Sequence, residues 1–87
     1  MNTTTWRELC QKEVISVCDG TRLGYFCDFE LCLQDGCIIA FLLPDRKGFS
    51  FTKKPKFRVC REWIERIGDD VVLVRRYEKI EGECKRG

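Results

Sequence analysis

The stretch Asp19-Gly20-Thr21-Arg22-Leu23-Gly24-Tyr25-Phe26-Cys27-Asp28 decides the fold that we expect for this chain. Asp19-Gly20 predicts a tight hairpin turn, because glycine adopts positive φ without a Cβ clash and aspartate tolerates the same turn. Strands are expected on both sides of the turn, over residues 12–17 and about 23–33. Gly24 inside the second strand indicates a bulge or a sharp bend, which a small barrel needs in order to close.

Asp28 follows this bend, and we expect a buried carboxylate that accepts backbone N–H bonds rather than a catalytic acid, since no second acid lies nearby to assist it. From Asp28 onward the side chains alternate as in a half-buried strand. Phe29, Leu31 and Leu33 fall on one face, and Asp28, Glu30 and Cys32 fall on the other.

The rest of the chain also predicts short elements. Thr5 with Glu8 matches a capping box at the start of a helical turn over 6–10. Further strands are predicted at 37–43, 57–59 and 71–74, and a second helical turn at 61–67 with Ile64 and Ile67 inward. Short strands separated by turns about ten residues apart predict an all-β protein with short helical turns, a small barrel.

The run Cys37-Ile38-Ile39-Ala40-Phe41-Leu42-Leu43 is apolar on both faces. Such a strand is buried on both sides, or one face meets a partner. In so short a chain we favour the partner.

Length and composition narrow the class of protein. With 87 residues the chain forms one domain, and it buries only about 60–65% of its unfolded surface, so dimerisation would stabilise it. It has no histidine, which removes the commonest general base and metal ligand. The polar start and the lack of a long apolar run predict a cytoplasmic protein without membrane insertion.

Five short motifs occur in the order and spacing of a PRC-barrel domain. They are Arg7-Glu8-Leu9, Lys12-Glu13-Val14-Ile15, Asp19-Gly20-x-Arg22-Leu23-Gly24 with Asp28, Gly36-x-Ile38, and Ile64-x-x-Ile67-Gly68-x-Asp70 with Val71-Val72-Leu73-Val74. Over about residues 6–75 the chain resembles the stand-alone YlmC/YmxH-like subfamily, which is associated with sporulating Gram-positive bacteria.

The resemblance implies a partly open six-stranded PRC-type β-barrel over residues 1–75, with a polar C-terminal extension at 76–87. Related barrels act by docking on proteins, and the resemblance to the stand-alone members implies a homodimer. It implies no catalytic residues for this chain. Structural roles are therefore assigned to Asp19, Gly20, Leu23, Gly24, Asp28, Gly68 and Asp70. One departure is that Val59-Cys60-Arg61 stands where the family tends to have Ile-Pro-Trp, with the tryptophan displaced to Trp63.

Seven cysteines are the most unusual feature of the composition. The odd count and the apolar settings of several of them favour free thiols that fill the core. Cys32 and Cys37 flank a turn around Asp35, so they are the best candidates for a disulfide or half a metal site. No metal site is assigned, because Cys27, Cys32 and Cys37 lack the spacing of a zinc knuckle.

A basic segment runs from Arg46 to Arg61 and contains no acid. It carries +7 in a chain of net charge +2, so the remainder carries −5. Partner binding is assigned to Arg46, Lys47, Phe49, Phe51, Lys53, Lys54, Lys56 and Arg58. Such a segment suits an acidic protein surface, or RNA through phosphate contacts and base stacking, or it is a solvated loop.

These observations predict a non-enzymatic interaction module, a homodimeric small barrel that docks on a protein partner and needs no cofactor. The alternatives are an RNA- or ribosome-associated factor that binds through residues 46–61, and a thiol redox or metal-binding protein. Asp69 and Asp70 do not suggest a catalytic pair, because adjacent side chains on a strand point apart. We expect them to form a turn in which Asp70 bonds to the backbone.

Overall fold

A computed structural model of the chain describes residues 3–44 and 55–80. Its strands are β1 (Glu13–Ser16), β2 (Arg22–Gly24), β3 (Asp28–Leu31), β4 (Ile38–Pro44), β5 (Pro55–Cys60), β6 (Ile64–Ile67), β7 (Val71–Val74) and β8 (Glu78–Lys79). A helical turn, α1 (Trp6–Leu9), precedes β1, and a 3₁₀ turn (Arg61–Trp63) precedes β6. The all-β class is therefore confirmed. In the described ranges no helix has the length and apolar character needed to cross a membrane.

The strands form two four-stranded sheets, with the orders β2-β1-β7-β6 and β3-β4-β5-β8. The β1–β7 pair is parallel and the other pairs are antiparallel. Both sheets contribute to one apolar core, which also includes residues of α1 and of the segment between the sheets. Its buried members are Leu9, Val14, Leu23, Phe26, Phe41, Leu43, Val59, Val72 and Val74. Because no ladder joins the two sheets within the described residues, a six-stranded barrel is not confirmed.

The helical turn α1 begins where the sequence predicts. The Thr5 side chain accepts from the Glu8 N–H at 3.1 Å, and Glu8 Oε1 accepts from the Thr5 N–H at 3.3 Å. This reciprocal pair satisfies two N–H groups that the helix cannot satisfy itself. Leu9 is thereby placed in the core.

The Asp19-Gly20 turn is also present. Asp19 Oδ1 accepts from the Thr21 N–H at 3.0 Å, and Gly20 has φ of +72°. The hydrogen bond from the Thr21 N–H, with smaller contributions from the Thr21 and Ser16 side chains, lowers the pKa of Asp19. Leu23, on the returning strand, is buried in the core.

Gly24 marks a bulge and a bend, as the sequence predicts. It lies opposite Val14, next to a shift in the β1–β2 register, and its φ is +99°. The continuous strand predicted over 23–33 is wrong, however, because β2 ends at Gly24 in one sheet and β3 begins at Asp28 in the other. Burial of Phe26 fixes the bend, since this side chain enters the core between the two strands.

Asp28 is exposed, so the expectation of a buried carboxylate is wrong. Its Oδ1 accepts from the N–H of Phe29, its own neighbour, at 2.8 Å. Asp28 lies at the start of β3, an edge strand, and its carboxylate therefore satisfies a backbone donor there.

Strand β4 is buried on both faces within the single chain. Ala40, Phe41, Leu42 and Leu43 are all buried. Phe41 and Leu43 face the core that the two sheets share, and Ala40 and Leu42 share the opposite face with their cross-strand partners Glu30 and Arg58. The interpretation that one face of residues 37–43 meets a partner is therefore wrong for residues 40–43, whereas Ile39 stays 42% exposed.

Two C-terminal segments differ from the expectation. Residues 64–67 form a strand rather than a helical turn, and a register shift near Glu65 places Ile64 opposite Val74 and Ile67 opposite Val72. Ile67 nevertheless stays 44% exposed. The first residues of the polar extension join the second sheet, because β8 pairs with β5 and Ile80 N–H donates to Lys56 O at 2.7 Å.

Candidate interaction surface

The predicted partner-binding segment is only partly within the described residues. Arg46, Lys47, Phe49, Phe51, Lys53 and Lys54 lie outside them. Lys56 and Arg58 are described, and both lie on β5, where their side chains are partly buried.

Arg58 is held by groups of its own chain. Its Nε donates to Glu30 Oε1 at 2.9 Å, and its Nη1 donates to Glu78 Oε2 at 3.0 Å. A third contact joins Nη1 to the sulfur of Cys60 at 3.3 Å. The hydrogen bond to Glu30, more than that to Glu78, raises the pKa of Arg58 above its usual range.

Strand register explains this cluster. Arg58 lies between Leu42 on β4 and Glu78 on β8, and Glu30 comes from β3, so one guanidinium ties together three of the four strands. Two carboxylates compensate its charge, and a guanidinium paired in this way has fewer donors left for a phosphate. In this structure Arg58 therefore supports the sheet.

The sequence could not reveal these partners. Glu30 and Glu78 are 28 and 20 residues from Arg58 in the chain, and no local spacing joins them. Glu78 also lies in the stretch that the sequence indicates as a solvated extension.

The hairpin between β3 and β4 exposes large aliphatic side chains. Leu33 is 97% exposed, Leu31 is 48% exposed and Ile39 is 42% exposed. We call residues 31–39 the hairpin tip. It contains one acid, no lysine or arginine and no aromatic residue.

Backbone hydrogen bonds define the turn that carries Leu33. Cys32 N–H donates to Cys37 O and Gly36 N–H donates to Cys32 O, each at 2.8 Å. Gly36 has φ of +76°, where a Cβ would be strained. Asp35 Oδ1 accepts from the Cys37 N–H at 3.0 Å.

Sequence reasoning missed the exposure of this tip. It placed Leu33 on the apolar face of a strand with Phe29 and Leu31. In the structure β3 ends at Leu31, and Leu33 falls in the turn. The adjacent Gln34-Asp35-Gly36 was the available signal, because a four-residue turn before Cys37 must begin at Leu33.

The six described cysteines are free thiols. They are spread over the molecule, and the described ranges hold no group of acidic or thiol side chains arranged to bind a metal ion. The cysteines differ in setting, from partly buried Cys10, Cys32 and Cys60 to exposed Cys18, Cys27 and Cys37. Cys84 lies outside the described residues.

The acidic pair Asp69-Asp70 forms a turn between β6 and β7. Lys12 Nζ donates to Asp69 O at 2.6 Å, and Asp70 O accepts from the Glu13 N–H at 3.0 Å. Gly68 N–H donates to Val71 O across the same turn. Asp69 and Asp70 thus act through their main-chain carbonyls, which join the turn to Lys12 and to Glu13 of β1.

Comparison with known proteins gives two relatives. A scan against models of protein families finds no match. The chain is 36% identical over 70 residues to the uncharacterized protein YmxH of Bacillus subtilis (strain 168), covering 77% of this chain and 82% of that protein. It is 35% identical over 63 residues to an uncharacterized protein of Clostridium acetobutylicum, covering 71% of this chain and 72% of that protein. The chain therefore belongs to the same protein family as YmxH of Bacillus subtilis.

Proposed function

We propose that this protein is a non-enzymatic interaction module that docks on a protein partner. The observation that carries the proposal is the exposure of Leu31, Leu33 and Ile39 on one hairpin tip. Single exposed aliphatic residues are ordinary, but three within nine residues of one hairpin concentrate exposed apolar area at one end of the sheet, as protein-binding surfaces do.

The chemistry of the tip favours protein over nucleic acid. RNA recognition needs cations for phosphates and aromatic rings for bases, and residues 31–39 provide neither. Arg58, from the predicted basic surface, is already paired with two carboxylates. The alternative of an RNA-associated factor therefore depends on the other cations and the aromatic residues of 46–61.

We further propose the finer features that the family resemblance implies. The shared core of the two sheets supports a PRC-type barrel, partly open and six-stranded, because side chains from both sheets enter one cluster. The small size of the chain supports a homodimer. The resemblance to the YlmC/YmxH-like subfamily supports the association with sporulation, and we place the protein in the cytoplasm.

A capture experiment tests the docking proposal. The wild type, Leu33→Asp and the combined charge reversal of Lys47, Lys53, Lys54 and Lys56 to Glu are immobilised, and proteins are captured from host lysate with and without ribonuclease. Val17→Asp is the matched control, because Val17 is another exposed aliphatic residue and directly follows β1 rather than lying in the hairpin tip.

We expect a specific protein to survive ribonuclease, to be lost with Leu33→Asp and to be kept with Val17→Asp. Loss of the captured protein on ribonuclease treatment would support the RNA-associated alternative. Equal capture by wild type and Leu33→Asp would contradict docking through the hairpin tip. Sedimentation equilibrium tests the homodimer separately.

A further inference from the structure

Cys32 and Cys37 face each other across the hairpin. Leu31 pairs with Ile38, so one step further along the same register Cys32 lies opposite Cys37. The 2.8 Å hydrogen bond from Cys32 N–H to Cys37 O shows that this step is made. The Cys32 C=O accepts from the Gly36 N–H, so this is the single bond between the two residues. Directly opposed residues of an antiparallel pair have Cα atoms about 4.5–5.5 Å apart, within the range of about 4.4–6.8 Å that a disulfide spans.

Directly opposed residues of an antiparallel pair project to the same face, so the Cys32 and Cys37 thiols lie on the same side of the hairpin, next to the turn that holds Asp35. The pKa of this carboxyl is lowered, first by the Cys37 N–H and then by the side chain of Cys32, with a smaller effect of the Cys37 side chain. Cys37 is exposed and Cys32 partly buried, so a small reagent reaches Cys37 first.

The other described cysteines are less suited to exchange. Cys10 and Cys27 lie close enough to interact electrostatically, but partial loss of water around each sulfur raises the pKa of both thiols, although Cys27 as a residue is exposed. The higher pKa lowers the fraction of reactive thiolate. Cys18 donates its S–H to Arg75 O at 3.1 Å. Cys60 Sγ accepts from the guanidinium of Arg58 at 3.3 Å, inside the ion-pair cluster.

We propose that Cys32 and Cys37 form a reversible intramolecular disulfide by exchange with a small-molecule disulfide such as oxidised glutathione. The Cys37 thiolate attacks one sulfur of the reagent, which forms a mixed disulfide and expels one glutathione thiolate. The Cys32 thiolate then attacks the Cys37 sulfur and expels the second. The protein loses two protons and two electrons, and the reagent is reduced to two thiols.

Closing this bond would fix the turn that carries Leu33, at the centre of the surface proposed for docking. The bond itself does not depend on that proposal, because its formation is read from the masses of peptides. Failure of one proposal therefore leaves the other open to its own test.

The experiment treats the reduced full-length protein with oxidised glutathione, blocks remaining thiols by alkylation and maps the peptides by mass spectrometry. Trypsin alone leaves Cys27, Cys32 and Cys37 in one peptide, because no lysine or arginine occurs between Arg22 and Arg46. Further cleavage before each aspartate separates these cysteines into peptides 23–27, 28–34 and 35–44.

We expect the link between peptides 28–34 and 35–44 to dominate over every other link, with the loss of two hydrogens from the protein. A reducing thiol should restore the original mass. Absence of this link while both thiols remain open to alkylation would overturn the proposal, and so would a dominant link between Cys10 and Cys27.

Two variants test the order of attack. Cys32→Ser should stop at the mixed disulfide and retain glutathione on Cys37, whereas Cys37→Ser should retain several-fold less on Cys32. Cys27→Ser is the matched control and should form the disulfide in the same yield as wild type. Equal retention by the two serine variants would contradict Cys37 as the attacking residue, and the wild-type map tests the disulfide even where a variant fails to fold.

Discussion

Replacing Arg58 with methionine tests whether the Glu30–Arg58–Glu78 cluster stabilises the second sheet. Methionine keeps most of the aliphatic length that lies near Leu42, so the change removes mainly the two ion pairs. The Arg58 side chain is 27% exposed, and the two carboxylates are about half exposed. Hydrogen bonds to charged groups contribute about 1.5–3 kcal/mol, whereas exposed ion pairs contribute about 0.2–1 kcal/mol.

The intermediate exposure puts each pair near 1 kcal/mol, so Arg58→Met should lower the free energy of unfolding by about 2 kcal/mol. Glu30 and Glu78 are left without their partner but regain water, so we expect no larger penalty. In a domain of this size the same change corresponds to a fall in Tm of roughly 10 °C. The loss should shrink in high salt, which screens partly exposed pairs.

Urea unfolding followed by circular dichroism measures this change, with Arg61→Met as the matched control. Arg61 is an exposed arginine on the neighbouring 3₁₀ turn, and its substitution should alter stability by less than about 0.5 kcal/mol. A double-mutant cycle with Glu30→Gln should give a coupling of about 1 kcal/mol. Equal stability of the Arg58→Met and Arg61→Met variants would refute the structural role that we assign to Arg58.

Three further predictions concern the core, a strained turn and an acid. Leu43→Ala should lower the free energy of unfolding in urea by about 2–5 kcal/mol, because Leu43 is fully buried. Leu33→Ala, at the exposed tip, should lower it by less than about 0.5 kcal/mol. Similar losses in the two variants would contradict the difference in burial between Leu43 and Leu33. Gly24→Ala should destabilise by roughly 1–3 kcal/mol, because φ of +99° strains a residue with a Cβ; an unchanged Tm would show that the bend adopts another backbone. The pKa of Asp35 is lower in the folded protein than in the unfolded chain, where it is about 3.9. Its carboxylate therefore stabilises the fold at pH values above about 3.9, and this stabilisation is lost as the pH falls through the lower pKa of the folded state. An NMR titration of Asp35 should therefore have its midpoint below about 3.9, and Asp35→Asn should weaken the loss of stability in acid.

Local signals predicted local structure well. The Thr5–Glu8 capping box and the Asp19-Gly20 turn depend on groups two or three residues apart, and both form as expected. The bend at Gly24 and the opposition of Cys32 and Cys37 could also be predicted, because the position of a glycine and the length of a turn are visible in the sequence.

The candidate interaction surface was harder to predict from the sequence. Its basic residues were identified by composition, but composition could not show that Arg58 is paired with Glu30 and Glu78. The exposure of Leu33 was missed because an alternating pattern does not show where a strand ends. In the sequence, an apolar residue in a turn can continue the apolar–polar alternation of the preceding strand. The pattern therefore looks the same whether that residue is buried in the core or exposed in the turn.

By itself the sequence determined the all-β class, the helical turn at Trp6 and the turns of the chain. Only the tertiary structure decided that β2 and β3 belong to different sheets, that β1 pairs in parallel with β7 and that β8 closes the edge of β5. Turns and caps are set by hydrogen bonds within a few residues. Strand partners are set by the burial of side chains that are distant in sequence, such as Val14 and Val72. A single strand has no such burial until the other strands are in place.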